Sequence, residues 1–389
     1  MIQEFGSVVQ QFIGLFGVVC WLCSPGWAFA PQSKPPDCCE PLWTVQVAES
    51  YESPILFQNI IKKPILHHHE NAGIIFLDDD HLLVYGVELT RELSSRVSAD
   101  ISSAFRLHAS LFDAVSGKLA LTKDWGTRAH DSSIHITKGG VLVRAGEEIR
   151  FYSRTFEELQ KLPLLQTDPN DTWVISVSPT GKTVLLNHYN RNESYFEVRD
   201  GITFELKNSW SQTPSLRRNL YSISDVAIAA ADSHQEHILI SDFGTRKWRI
   251  LDSNSKGVCA SPPTLVSDTL LVYDNCNKLT LLSIEGLILM SDHAEKHESV
   301  EGERIEAARD GRTIAASLVQ GRGGGLSDTD VRRTGNRIAV YDLTLKKRLL
   351  TVEVVPLPTS EFDFALSPDG SKLAVLNDRR VSVYLVPTS

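Results

Sequence analysis

Two groups of histidines have the residue type, but not the full number, needed for a transition-metal site. Residues 67–70 are three histidines and a glutamate, and His293 and His297 are four positions apart. Imidazole is a common ligand for transition metals, but successive side chains of an extended segment point to opposite sides. At most two of the first three histidines would converge, and His293 with His297 lacks a third candidate. We predict solvated loops at both places, with no bound metal or other cofactor.

Residues 321–325, Gly-Arg-Gly-Gly-Gly, are similar to a phosphate-binding loop only in their glycine content. Such a loop continues with Lys and then Ser or Thr, which are absent at this position. The sequence also contains no Gly-x-Ser-x-Gly, Gly-x-Gly-x-x-Gly or His-Glu-x-x-His motif, which mark hydrolase elbows, dinucleotide sites and zinc proteases. We therefore expect a flexible insertion at 321–325 and a protein without enzymatic activity.

The elements that would position any site are clearest near the C-terminus, where two apolar runs flank a tight turn. Residues 362–367 and 372–376 have the length and composition of strands, and the Pro-Asp-Gly-Ser segment 368–371 supplies the backbone angles of a hairpin turn. The same strand–turn–strand unit recurs at 173–186 and 304–318. Weaker copies are predicted to turn at 78–80, 138–140, 232–234 and 267–268.

These turns recur at a nearly constant spacing. From Asp80 to Gly370 the chain makes six intervals of about 48 residues each. Repeats of roughly 40–50 residues with four short strands each are typical of propeller blades. The later part of the unit also recurs, because 110–119 matches 339–348. The period therefore predicts an all-β protein built from repeated sheets, with a pair of β-sandwiches as the alternative.

Two motifs carry a resemblance to a known class of proteins: Ser-Pro-Asp-Gly-Ser-Lys-Leu-Ala at 367–374 and Phe-Asp-Ala-Val-Ser-Gly-Lys at 112–118. Over roughly residues 41–389 the chain resembles the seven-bladed β-propellers of the WD-repeat and YVTN-like class. The resemblance implies a ring of seven four-stranded blades, with six or eight blades as alternatives. Phe-Asp at 112–113 and Tyr-Asp at 341–342 stand where that family has a Trp-Asp dipeptide.

The final repeat, residues 361–389, is one strand short of a four-stranded blade. The missing strand is predicted at 43–47, near the other end of the chain. We expect the last blade to be closed by this N-terminal strand, which ties the two ends together and covers an exposed sheet edge. A length of 389 residues would favour two or three domains, but the repeat predicts one β-propeller domain over 41–389.

The N-terminal segment has the character of a targeting sequence. Residues 12–23 are an uncharged apolar run, too short for a comfortable membrane span, and small residues follow up to position 30. We predict a signal peptide at 1–30, a linker at 31–40, and an exported monomer, periplasmic or extracellular, with no stable membrane span after cleavage. Residues 1–11 contain Glu4 and no Lys or Arg. An uncleaved membrane anchor, a misassigned start and a buried helix are therefore alternatives.

Charge and composition limit the classes of partner. The chain is 42% hydrophobic and 22% charged, as in an ordinary globular protein. Its net charge of −9 gives no reason to expect a nucleic acid, because nucleic-acid binding proteins usually present a basic face.

Six cysteines fall into three pairs along the chain. The first pair lies in the predicted signal peptide, and Cys38 and Cys39 are adjacent in the predicted linker. In the blade arrangement, Cys259 precedes one blade and Cys276 lies between the second and third strands of that blade, on the same face of the ring. We predict a Cys259–Cys276 disulfide, which would suit an exported protein, with two unpaired thiols as the alternative.

Two blades are predicted to carry long insertions between their second and third strands. These lie at 88–103 in the first blade and 320–336 in the sixth, so only the seventh blade separates them. Long loops often carry function, and both insertions contain arginines. Other basic residues fall in inter-blade connections on the same face. The predicted partner-binding residues are Arg91, Arg96, Arg128, His130, Arg217, Arg218, Arg322, Arg332 and Arg333.

The sequence therefore favours a non-enzymatic binding or scaffold propeller whose basic surface attracts an acidic protein or an anionic glycan. Mobile insertions without a partner are the alternative interpretation of the two loops. A small-molecule hydrolase or lactonase with a metal at the central mouth is the alternative function, and elemental analysis would distinguish it. A structural component that self-associates is a third interpretation.

Overall fold

The computed structural model consists of seven antiparallel sheets arranged in a ring. Its 28 strands include all the regular structure of the described residues, which contain no helix. The predicted all-β, seven-bladed β-propeller with four-stranded blades is confirmed. The described residues are 40–47, 72–89, 105–127, 132–164, 172–189, 193–212, 221–231, 237–251, 263–274, 278–293, 298–322, 332–357 and 362–387.

The blades are numbered in chain order, and the strands of each blade are ordered from the centre of the ring outward. Blade 1 has β2 (Ala72–Phe76), β3 (His81–Leu89), β4 (Phe105–Asp113) and β5 (Leu119–Thr127); blade 2 has β6 (Ser132–Ile136), β7 (Val141–Ala145), β8 (Glu148–Tyr152) and β9 (Glu158–Pro163); blade 3 has β10 (Thr172–Val177), β11 (Thr183–Tyr189), β12 (Ser194–Asp200) and β13 (Leu206–Gln212); blade 4 has β14 (Tyr221–Ile223), β15 (Ala227–Ala231), β16 (Ile238–Asp242) and β17 (Arg249–Leu251). Blade 5 has β18 (Thr264–Leu265), β19 (Leu270–Asp274), β20 (Lys278–Ser283) and β21 (Ile288–His293); blade 6 has β22 (Glu298–Ala307), β23 (Thr313–Arg322), β24 (Arg332–Asp342) and β25 (Lys347–Glu353); blade 7 has β26 (Phe362–Leu366), β27 (Lys372–Asn377), β28 (Arg380–Leu385) and β1 (Trp43–Gln46).

The ring is closed, because the innermost strands of all neighbouring blades contact one another, from β2 through β6, β10, β14, β18, β22 and β26 back to β2. Each of the seven junctions is filled by its own apolar cluster. A sheet that is covered on both faces has apolar residues at successive strand positions. Leu82 and Val84 accordingly pack toward blade 7, whereas Leu83 packs toward blade 2.

Strand β1 is the outermost strand of blade 7, as the sequence predicts. It pairs antiparallel with β28, with Trp43 opposite Val383. Trp43 and Val45 pack against the apolar cluster between blades 7 and 1. The Trp43 indole N–H donates a 2.9 Å hydrogen bond to the Ala114 carbonyl of blade 1. The same ring covers Gly117, whose positive φ and lack of a side chain permit this approach. The N-terminal strand is thereby attached to both the last and the first blade.

The first hairpin turns fall at most of the predicted positions. The glycines of the three strongest repeats, Gly181, Gly311 and Gly370, have φ angles of 71°, 66° and 71°, which is the left-handed region that such turns require. One predicted turn is wrong. Blade 4 turns at 224–226, between β14 and β15, whereas 232–234 falls between β15 and β16. The Ser-Asp-Val turn at 224–226 contains no Gly or Pro, so its sequence lacks the usual turn signal.

In blades 1, 3 and 6, the turn between the third and fourth strands starts with an aspartate. The carboxylates of Asp113, Asp200 and Asp342 each accept backbone N–H bonds from the residues two and three positions later. This is the Asx-turn geometry that short acidic side chains favour. Asp113 and Asp342 are the aspartates that stand in place of the family's Trp-Asp dipeptide, and their role in this chain is to form these turns.

Several predictions concern residues outside the described part of the chain. These are the signal peptide at 1–30, the linker at 31–40 apart from Glu40, and all six cysteines, including Cys259 and Cys276. The predicted disulfide and the predicted export therefore stay predictions. Within the described residues there is no helix with the length and apolar character of a membrane span.

We predict that removal of β1 destabilises the whole ring, because blade 7 loses its outer strand and blade 1 loses its contact with Trp43. In thermal denaturation, deletion of 41–47 should lower the unfolding temperature, and Trp43→Ala alone should lower the free energy of unfolding by about 3 kcal/mol. Leu42 is 44% exposed, so Leu42→Ala is a control that should change stability by less than about 0.5 kcal/mol. A truncated protein that unfolds at the parent's temperature would contradict this closure.

Candidate functional site

The strand order gives the ring two faces. The turn face carries the turns between first and second strands and those between third and fourth strands. The loop face carries the connections between second and third strands and those between blades. Of the predicted partner-binding residues, Arg322, Arg332 and Arg333 lie on described strands, at the strand ends that approach the loop face.

The second and third strands of blades 1 and 6 extend further toward the loop face than those of the other blades. Strands β3 and β4 have nine residues each, and β23 and β24 have ten and eleven. The matching strands of the other blades have five to seven. The predicted insertions are therefore in the right place but wrong in extent, because 88–89, 320–322 and 332–336 are strand and not loop.

Three of the predicted binding residues lie at the end of the blade 6 hairpin. In the register of β23 and β24, Arg322 is opposite Arg332 and Gly321 is opposite Arg333. Three arginines thus occupy adjacent positions on two paired strands. The other predicted binding residues lie outside the described part of the chain: Arg91, Arg96, Arg128, His130, Arg217 and Arg218.

The inner strands surround a central channel, where polar groups of blades 6, 7 and 1 approach one another. Gly73 lies opposite Tyr85 in blade 1, and a Cβ atom at position 73 would overlap the Tyr85 ring. The absent side chain makes room for the phenol. Burial, followed by the charges of Asp363 and Glu306, raises the pKa of Tyr85. Asp363 also accepts a 3.0 Å hydrogen bond from the Ile74 amide, which joins blades 7 and 1.

Glu306 is an acid of this channel whose protonation state changes near neutral pH. Burial among protein atoms, followed by the charge of Asp363, raises the pKa of Glu306 to about 8. Its side chain nevertheless remains exposed to the channel. A carboxyl group in this state is mostly protonated at neutral pH and can donate a hydrogen bond.

Blade 2 places a histidine and an arginine near the channel. His135 Nε2 lies 3.0 Å from the Ser133 hydroxyl on the innermost strand β6. Burial, followed by the charge of Arg144, lowers the pKa of His135 to about 4. Arg144 donates a 2.6 Å hydrogen bond to the Trp173 carbonyl of blade 3. His135 is therefore neutral at physiological pH, and Arg144 supplies the positive charge on this side.

On the turn face, hydrogen bonds join the first hairpin turns of neighbouring blades. The Asp225 carboxylate accepts bonds of 2.7 Å from the hydroxyls of Ser178 and Thr180, and the Asp225 amide donates a 3.0 Å bond to Asp268. No sequence motif pointed to Asp225, because its partners lie more than 40 residues away. Further bonds of this kind run from the Lys138 amide to the Gly181 carbonyl, from the Asp310 amide to the Pro368 carbonyl and from the Asp369 amide to the Asp79 carboxylate.

Asp79 and Asp369 form an acidic pair at the junction of blades 1 and 7. The Asp369 amide donates a 2.9 Å bond to the Asp79 carboxylate. The Lys372 ammonium donates a 2.8 Å bond to the Asp79 carbonyl. Burial raises the pKa of Asp79. Burial also acts to raise the pKa of Asp369. Hydrogen bonds from Ser367 and Ser371 outweigh this effect and lower the pKa of Asp369 to about 2.

A serine, a histidine and an aspartate of blade 1 are hydrogen-bonded in the order found in serine hydrolases. Asp124 Oδ1 lies 2.6 Å from His108 Nδ1, and His108 Nε2 lies 3.2 Å from Ser110 Oγ. A nucleophile needs access and free amide donors for the oxyanion. Ser110 is only 6% exposed and lies on β4, a middle strand between β3 and β5. We therefore interpret this array as a structural contact of blade 1.

In the described part of the chain, no three His, Cys, Asp or Glu side chains are placed to hold a single metal ion. Residues 67–70 and His297 lie outside the described part of the chain, and His293 ends strand β21.

Comparison with known proteins identifies the fold and nothing finer. No family model and no curated protein matches the chain. A chain in the crystal structure of the mitotic checkpoint complex matches with a TM-score of 0.51 and 12% identity, covering 92% of this chain and 97% of that chain. The RRP9 WD40 repeats match with a TM-score of 0.51 and 10% identity, covering 84% of this chain and 97% of that chain. The fold is thus that of a WD-repeat-like propeller, as the resemblance implied.

We predict that Glu306 makes the stability of the ring pH-dependent. Its pKa is raised from 4.5 to about 8, so the folded state favours the protonated acid. The contribution of Glu306 to stability should therefore fall as the pH rises from 4.5 to about 8 and level off above that. Glu306→Gln should match the wild type at pH 5 and exceed its stability at pH 9, by on the order of 1 kcal/mol because the open channel screens the charge. Unfolding temperatures between pH 5 and 9 measure this. Glu353→Gln, on an exposed outer strand, is the control, and parallel curves for Glu306→Gln and wild type would contradict the prediction.

Proposed function

We propose that this WD-repeat-like seven-bladed propeller is a non-enzymatic binding module whose loop face captures an acidic protein segment. The observation that supports it best is the register of the blade 6 hairpin. That register brings Arg322 opposite Arg332, with Arg333 adjacent, at the end of a hairpin that is longer than those of most other blades.

Like charges that face each other across paired strands disfavour the pairing. Arg322 and Arg332 are directly opposite each other in this register, so this pair is unfavourable for the stability of the hairpin end. Arg333 follows Arg332 and is opposite Gly321. A bound anionic group would remove this repulsion. The net charge of the protein is −9, so a local basic end would also steer an acidic partner toward one place on the ring.

The second long hairpin supports the same face as the binding surface. β3 and β4 of blade 1 rise on the other side of blade 7, and their register extends to Leu89 opposite Phe105. The two hairpins therefore stand on either side of a single blade. The turn face below them is tied together by hydrogen bonds between blades. A rigid scaffold that carries loops or long hairpins on one face is a common arrangement for recognition.

The partner is proposed to be an acidic stretch of protein, because a hairpin end offers a narrow, elongated contact. An anionic glycan shares the charge and is the other outcome that the capture experiment distinguishes. Arg91, Arg96, Arg128, His130, Arg217 and Arg218 are proposed to extend the same basic surface. The Cys259–Cys276 disulfide is proposed to close one inter-blade connection of that face.

We predict that reversing the three hairpin arginines abolishes capture of the partner. The bait would be the tagged propeller from residue 31, in native extract, with mass spectrometry of the retained material before and after glycosidase treatment. Arg322→Glu, Arg332→Glu and Arg333→Glu in one protein should lose at least tenfold of the retained partner. A matched control, Lys118→Glu with Lys247→Glu and Lys347→Glu, changes the net charge equally at exposed positions away from the loop face, and should retain it. Equal capture by both triple variants would contradict the proposal.

The proposed location is outside the cytoplasm, and it rests on the apolar segment 12–23 and the small residues that follow. We predict that the mature chain begins at Phe29 after cleavage behind Ala28. Mass spectrometry of the intact protein from its native source measures this. A mature chain that retains residues 1–28 would contradict cleavage and favour the membrane-anchor alternative.

A further inference from the structure

One edge of the blade 6 hairpin is left open toward the loop face. Strand β24 has eleven residues, whereas its outer neighbour β25 pairs only with the part that begins at Arg337. One further bond of 2.8 Å joins the Val354 amide to the Asn336 carbonyl. In the described part of the chain, no strand pairs with β24 on this side before that bond. Residues 332–335 therefore form a sheet edge, here termed the open edge of β24.

The sequence explains why β25 stops where it does. In a continued register, Pro356 would be opposite Thr334, and proline has no N–H group to donate to a neighbouring strand. The Pro356 carbonyl instead accepts a 2.8 Å hydrogen bond from the Asn377 side-chain amide of blade 7. The chain thus turns from β24 toward blade 7, and β25 leaves the open edge uncovered.

The backbone groups of Thr334 belong to this edge. Alternate residues of an antiparallel strand direct their N–H and C=O groups to the same side. Asn336 directs its carbonyl toward the side of β25, where Val354 donates to it. Thr334 lies two residues earlier and directs its N–H and C=O groups to the same side, beyond the point where β25 has ended. Such an edge is a template on which another strand can pair.

The residues around the open edge indicate which strand would fit there. Arg332 and Arg333 are part of the edge, and Arg322 is opposite Arg332 on β23. A second copy of this chain would bring its own arginines against them, and like charges across paired strands are unfavourable. An acidic strand has the complementary charge. Val355 and Leu357, which are 69% and 40% exposed where β25 ends, offer contacts for apolar side chains of the same strand.

We propose that an extended, acidic segment of a partner protein adds to the open edge as a further strand of blade 6, in line with β25. In this mode of recognition, main-chain hydrogen bonds supply affinity and side chains at alternate positions supply specificity. Here the main-chain bonds are made to Thr334, and the carboxylates of the segment face the arginines. The inference rests on the proposed capture of an acidic segment, and it adds that the segment is recognised by its backbone as well as by its charge.

The test compares two synthetic peptides of equal charge by isothermal titration of the full chain. The first is an end-blocked octapeptide of alternating Glu and Val, which suits a strand with one charged and one apolar face. The second has the same sequence with every backbone nitrogen methylated, so it donates no main-chain hydrogen bond. The first should bind at least tenfold more tightly. Thr334→Pro removes the N–H group of the edge and should weaken binding of the first peptide at least tenfold, whereas Thr334→Val retains that group and should bind as the wild type does.

Amide hydrogen exchange in the wild type supplies a measurement that needs no variant to fold. Saturating alternating peptide should slow exchange of the Thr334 amide at least tenfold, because that amide becomes hydrogen-bonded. Equal binding of the two peptides, or unchanged exchange at Thr334, would overturn strand addition while leaving capture by charge intact. Absence of binding by the alternating peptide would also overturn it. A partner retained after reversal of the three arginines would instead contradict the proposed function itself.

Discussion

Each blade of this ring is a four-stranded sheet that can bury its two faces only between two neighbours, so the whole fold depends on the last junction being closed. That junction is made by the N-terminal strand. β1 completes blade 7, and Trp43 reaches across to the Ala114 carbonyl of blade 1. The apolar cluster at this junction contains residues from both ends of the chain, from Val47 to Val383. Seven separate sheets thereby become one unit, because no sheet retains an uncovered face.

The two faces of the closed ring differ in the way they are built. On the turn face, hydrogen bonds join the short turns of neighbouring blades. The Asp225 carboxylate accepts hydrogen bonds from two hydroxyl groups of blade 3, and the Asp225 amide donates one to Asp268 of blade 5. On the loop face, the hairpins of blades 1 and 6 extend past the ring and flank blade 7. Contacts between blades on one face hold the positions of structures on the other. The protein thus combines hydrogen-bonded turns on one face with a long hairpin that ends in three arginines on the other.

The features predictable from the sequence are those that local chemistry determines. Glycine-containing turns, such as those at Gly181 and Gly370, are recognisable from the sequence, and their spacing defines the repeat period. The period and the short last repeat together predict the ring and its closure by the N-terminal strand. The predicted position of the first hairpin turn of blade 4 is wrong because the turn, at 224–226, has neither Gly nor Pro. The sequence predicts where the two arginine-bearing insertions lie, but not how far the strands on either side of them extend. Strand length depends on pairing across the hairpin, which no local pattern determines. Contacts such as Asp79 with Asp369 and Asp225 with Asp268 join residues far apart in sequence, and no local pattern encodes them.

The central claim, that β1 is an integral part of one closed ring, is tested most directly by native-state amide hydrogen exchange. The Val47 amide donates a 2.8 Å bond to the Arg379 carbonyl, at the end of the β1–β28 pairing. If β1 leaves blade 7 only when the ring unfolds, the amides of β1 exchange as slowly as those of β27 in the same blade. Exchange in β1 that is orders of magnitude faster than in β27, with the rest of the ring still protected, would show that closure by the N-terminal strand is not what holds the propeller together.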